Sequence, residues 1–161
     1  MEHQLSLTLR LLRDASEELC FGLEILNRSP VSLLLPRPEI HGLRFADNVT
    51  AQESEWYTRL LVHSNWTGFA LEPGHTKNMV YRVRPCAVAA PDHDDGSDYY
   101  RWCVALPAGE YSVFFRFRVG EDSFCPDSHA RFEGLQCEAE LQSAVVWTGE
   151  VMSNCITLVR A

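Results

Sequence analysis

Leu5, Leu7, Leu9 and Leu11 alternate with Gln4, Ser6, Thr8 and Arg10. This two-residue period turns one face of a β-strand to a core and the other to water. After a polar break from Arg13 to Glu18, the alternation returns at Leu19, Phe21, Leu23 and Ile25, and Asn27-Arg28-Ser29-Pro30 ends it with turn formers. These two strands are expected to pair antiparallel. Pro30, Pro36 and Pro38 bracket Val-Ser-Leu-Leu-Leu, and because proline lacks a ladder donor the run between them is expected to be a short or edge strand. The pattern is least legible between Ile40 and Val62. Beyond it, Glu72-Pro73-Gly74 marks a turn before a strand carrying Met79, Tyr81 and Val83 on one face and Val80, Arg82 and Arg84 on the other. Trp102, Val104 and Leu106 resume the alternation after an acidic loop, and Tyr111, Val113, Phe115, Phe117 and Val119 form the longest clean face in the chain. The polar segment from Glu121 to Ser143 has room for a helical turn. In the closing Ala144 to Val159 stretch the apolar phase changes near Ser153 and Asn154, which predicts a bulge.

The pattern predicts an all-β chain, and one stretch narrows it. In Leu-Pro-Ala-Gly-Glu-Tyr-Ser-Val-Phe-Phe-Arg-Phe-Arg-Val, residues 106 to 119, a leucine and a Pro-Gly type turn run directly into Tyr111 and an alternating strand. This resembles the tyrosine corner of fibronectin type III and other immunoglobulin-like modules, and the resemblance extends loosely to the Leu-Glu-Pro-Gly turn and the closing Ser-Asn-Cys-Ile-Thr-Leu-Val strand. It implies an antiparallel immunoglobulin-like β-sandwich of about seven to nine strands with long loop insertions, and a hydroxyl at Tyr111 bonded to nearby backbone. The second strand lacks the tryptophan usual in fibronectin modules, and the insertions around 40 to 66 and 121 to 143 are long. A resemblance at the level of fold carries over no functional residues.

Length changes this picture little: 161 residues are expected to form one domain spanning 1–161. Charge excludes more. With 14 basic and 22 acidic residues the formal net charge is −8, which opposes attraction to phosphate backbones and anionic membranes, so neither nucleic acid nor membrane is an expected partner. The N-terminal stretch lacks the basic start and unbroken apolar run of a secretory signal, and no window approaches a membrane span, so a cytoplasmic location is expected. The sequons at Asn27, Asn48 and Asn65 carry little weight in that setting.

The six cysteines, Cys20, Cys86, Cys103, Cys125, Cys137 and Cys155, include no Cys-x-x-Cys pair, so structural zinc spacing and redox motifs are both missing. They read as free, mostly buried thiols. In an oxidising compartment Cys125 and Cys137 would be the first pair to bridge, and Cys125, Asp127, His129 and Cys137 are too irregularly spaced for a usual zinc site. Asp92, Asp94, Asp95 and Asp98 offer oxygen ligands, but counting from Asp92 places Gly96 fifth and Cys103 twelfth, out of register with a calcium-binding loop. An ordinary solvated acidic loop is the expectation. No nucleophile elbow, zincin helix, phosphate-cradling loop or dinucleotide fingerprint occurs, and His3, His41, His63, His75, His93 and His129 are scattered. No catalytic residue, metal or cofactor is assigned.

Two surface features remain. Arg116 and Arg118 share a strand face with Phe114, where cross-strand pairing with a nearby carboxylate is expected ahead of capture of an acidic peptide. Trp56, Tyr57, Trp66 and Phe69 crowd a segment too dense in apolar residues for simple alternation, as a segment buried on both faces or capping the sandwich would, and those left outside the core are the candidate contact residues for a partner. The resulting expectation is a non-catalytic binding protein with a protein partner, homo-oligomerisation left open. A proteinase-inhibitor-like protein and a secreted adhesion or carbohydrate-binding module are the alternatives.

Overall fold

A computed structural model describes residues 4–57, 68–86, 103–120 and 144–161. In chain order the strands are β1 (Leu5–Asp14), β2 (Leu19–Asn27), β3 (Leu33–Pro36), β4 (Leu43–Asp47), β5 (Trp56–Tyr57), β6 (Gly68–Leu71), β7 (Thr76–Cys86), β8 (Cys103–Ala105), β9 (Gly109–Val119), β10 (Val145–Val146), β11 (Gly149–Met152) and β12 (Ile156–Arg160). A 3-10 turn at Ile40–Gly42 is the only helical element among the described residues. The chain is all-β.

One sheet has the order β1-β2-β7-β8-β5. β9 is the centre of a second, with β4 on one side and β11 followed by β12 on the other. A third has the order β10-β3-β6. Two pairings, β3 with β10 and β7 with β8, are parallel, a correction to the purely antiparallel expectation. β3 is short, as its prolines require, yet it lies between two neighbours and is not an edge.

Tyr111, Val113, Phe115, Phe117 and Val119 are all buried along β9, and full burial of each such side chain contributes about 1.5–3 kcal/mol. They meet the inward stripes of the first sheet: Phe21 on β2 packs edge-on against Phe45 of β4 at 5.8 Å, and Tyr81 of β7 stacks on Phe115 at 5.5 Å. Gly42 allows β9 this close approach, because a Cβ there would lie 2.6 Å from the Phe115 ring. The leucine stripe of β1 ends early. A register shift between Leu11 and Arg13 inserts Leu12, which is left 55% exposed on the outer face.

Polar residues hold the ends. Asn27 is 0% exposed; its amide donates to the Val31 and Leu71 carbonyls, both at 2.8 Å, and its Oδ1 accepts from the Ser29 N–H at 2.9 Å. The sequon at Asn27 is thus a structural asparagine tying β2 to β6. The Tyr111 hydroxyl donates to the Pro107 carbonyl at 2.6 Å, a short return bond to nearby backbone of the kind the resemblance implies.

Candidate functional site

Of the aromatic residues singled out from the sequence, the described ones, Trp56, Tyr57 and Phe69, do not share one surface. Phe69 is 3% exposed in β6, with the Lys77 ammonium 5.5 Å from its ring centroid. Trp56 is half-buried: its indole N–H donates to the Leu43 carbonyl at 2.8 Å and its ring leans on Phe45 at 6.1 Å. Tyr57, beside it on β5, donates its hydroxyl to the Glu55 carboxylate at 2.7 Å, and that bond pushes the phenol up to about 12. Trp66 lies outside the described residues, as do the Asp92 to Asp98 stretch and Cys125, Asp127, His129 and Cys137. Among the described residues no three His, Cys, Asp or Glu side chains are grouped closely enough to hold a metal ion.

Arg116 of the arginine row on β9 is paired within the chain. Glu53 bridges Arg44 at 3.4 Å and Arg116 at 3.2 Å, and Arg116 also reaches Glu150 at 3.8 Å while lying over the Phe114 ring. Carboxylates of this chain therefore occupy the position at Arg116 that a peptide carboxylate would need.

An edge-to-edge groove that the residue pattern did not reveal lies between β1 and β11. The Arg28 N–H donates to the Gln4 carbonyl at 2.9 Å, and in the β1–β2 register this makes 4, 6, 8 and 10 the residues that exchange bonds with β2. Leu5, Leu7, Leu9 and Leu11 turn their backbone N–H and C=O groups the other way, off the sheet. On the facing side the Ser153 N–H donates to the Phe115 carbonyl at 2.9 Å, so Val151 and Gly149 bond β9 while Glu150 and Met152 turn theirs outward. Gln4 to Leu7 and Trp147 to Met152 then line a groove of about 510 Å³. No backbone ladder joins β1 to β11 among the described residues.

Asn154 holds this groove open at one end. Met152 faces Arg116 but Ile156 faces Val113, so one residue is extra on the outer strand, the bulge expected near Ser153 and Asn154. The Ser153 hydroxyl accepts from the Phe115 N–H at 2.8 Å, filling the place of a ladder carbonyl. Asn154 is thereby aimed at β1, where its Oδ1 accepts from the Leu9 N–H at 2.7 Å and its amide donates to the Leu9 carbonyl at 3.1 Å. A side-chain amide stands where a neighbouring strand's backbone would, which spaces β1 and β11 more widely than the ~4.8 Å of a direct ladder. At the far end of β12, Arg160 donates to the Ser16 carbonyl at 2.8 Å and pins the β1–β2 turn.

Comparison of the chain with protein families, with curated proteins and with solved structures finds no match.

Proposed function

We propose that the protein is a non-catalytic binding module with an immunoglobulin-like sandwich architecture, and that it takes an extended segment of a partner protein along the outward edges of β1 and β11. The architecture is supported by neighbour relations: β1-β2-β7 and β4-β9-β11/β12 have the order of the A-B-E and C-F-G strands of such sandwiches, and Tyr111 bonds back to Pro107 on the strand in the F position. The binding reading rests on one observation, the two facing strand edges whose outward N–H and C=O groups at Leu5, Leu7, Glu150 and Met152 have no backbone partner among the described residues. Edges of this kind are what strand addition uses, with main-chain bonds giving affinity and alternate side-chain positions giving specificity. At ~3.3 Å per residue, the stretch from Gln4 to Leu7 matches about four residues of an extended segment.

A displayed library of random twelve-residue peptides, selected on the purified protein, tests this. Selected peptides are expected to slow amide exchange at Leu5, Leu7, Glu150 and Met152 while leaving Trp56 and Tyr57 unchanged, and N-methylation of alternate peptide amides should abolish binding. Binders that leave those four amides exchanging at the free rate overturn the proposal. So does an absence of binders combined with protection of the same amides in a concentration-dependent dimer, which would assign the edges to a second copy of the chain.

A further inference from the structure

We propose that Cys86 and Cys103 are a thiol–disulfide exchange site that reversibly cross-links β7 to β8. The sequence gives no hint of it, because sixteen residues separate the two and neither belongs to a Cys-x-x-Cys pair. The parallel register does: Arg84 faces Cys103 and Cys86 faces Ala105, so the two cysteines are diagonal neighbours with side chains on the same sheet face. Their sulfurs are 3.4 Å apart, with the Cys86 S–H directed at Cys103. A disulfide needs about 2.05 Å. The remaining ~1.4 Å is within reach of side-chain rotation on strands already in register. Both residues are half-buried, open enough for a small reagent. Among the described residues no other two sulfurs make such a contact.

The hydrogen bond assigns the roles. Cys86 points its S–H at the Cys103 sulfur, and burial together with that bond pushes the Cys86 thiol up, so Cys103, the sulfur that receives the hydrogen, attacks first. The Cys103 thiolate attacks a low-molecular-weight disulfide, whose S–S bond breaks, and the departing sulfur carries away the electron pair and takes up a proton. Cys86 then loses its proton to solvent base and attacks the Cys103 sulfur. The Cys86–Cys103 bond forms and the second small thiol leaves. Two protein thiols are oxidised and one reagent disulfide is reduced to two thiols. The link bears on the sheet's far edge, since β8 is also the strand that holds Trp56 and Tyr57 through β5.

The test equilibrates the native full chain with glutathione disulfide, followed by acid quench, thiol titration and non-reducing peptide mapping. Two of the six thiols are expected to disappear with formation of a Cys86 to Cys103 peptide pair, and closing this loop should raise the thermal midpoint by about 6–12 °C. Cys86→Ser should stop at a glutathione adduct on Cys103, and Cys103→Ser should give neither adduct nor link at Cys86. Retention of six free thiols by the wild-type protein, a bridge between any other pair, or an oxidised form that melts no higher than the reduced one would each overturn the proposal.

Discussion

Replacing Asn154 by alanine isolates the contact that sets the distance between the two sheet edges. The substitution removes the bond Asn154 accepts from the Leu9 N–H at 2.7 Å and the one it donates to the Leu9 carbonyl at 3.1 Å. Each is worth about 0.5–1.5 kcal/mol net, so the loss from bonding alone is about 1–3 kcal/mol. Leu9 is buried, which would raise this figure, but Asn154 is itself exposed. Water can enter where the amide was and rebond part of what is lost. About 2 kcal/mol is therefore expected, equivalent to a drop of roughly 4–8 °C in thermal midpoint for a chain of this size. Urea unfolding should show a lowered midpoint at unchanged slope, since the surface exposed on unfolding stays the same. Amide exchange at Leu9 should rise, while Leu23, its partner on β2, keeps its protection. Asn154→Asp retains the acceptor for the Leu9 N–H but loses the donor and sets an oxygen against the Leu9 carbonyl, so it should recover no more than half of the loss. A midpoint within about 0.5 kcal/mol of wild type, together with unchanged Leu9 exchange, would refute Asn154 as the spacer.

Tyr111→Phe should keep the fold by circular dichroism and lower stability by about 1–1.5 kcal/mol in urea, the net worth of the bond to Pro107; an unchanged midpoint removes that bond from the account. Asp47 accepts the Val49 and Thr50 N–H groups at 2.7 and 3.0 Å, and these bonds hold its carboxyl below the usual value of 3.8. A depressed folded value stabilises the fold above the unfolded value and loses that effect as pH falls through the folded one. The midpoint gap between wild type and Asp47→Ala should thus shrink as pH is lowered from about 5 toward 2, and a gap constant across that range would count against the turn.

The strands that were legible are those whose two faces meet different surroundings. β1, β2, β7 and β9 each set one face on the core, so alternation alone found Leu5 to Leu9, Leu19 to Ile25, Met79, Val83 and all of Tyr111 to Val119. β4 was missed because it is five residues long and only Leu43 and Phe45 carry its buried face, too few to display a period. β5 is shorter still and pairs with β8 about fifty residues away, whereas alternation did mark β8 through Val104 and Leu106, both buried. Of the crowded aromatics, Phe69 sits in the core and Trp56 is partly buried against the core.

The groove stayed hidden for a different reason, which follows from what alternation measures. Side-chain period reports which face of a strand is buried, whereas the groove is made of main-chain groups in the plane of the sheet, and every residue type carries those. Which edge they face depends on hydrogen-bond phase, fixed here by Arg28 to Gln4 on one side and Ser153 to Phe115 on the other. The one side-chain clue was the break of phase at Ser153 and Asn154. Read from sequence it says only that a strand is interrupted; in the fold, the same extra residue turns Asn154 out of its own sheet and onto Leu9 of the next. A polar residue at a phase break in a closing strand is thus better placed to bridge sheets than one in phase, because an in-phase side chain points into the core or into water and never along the edge.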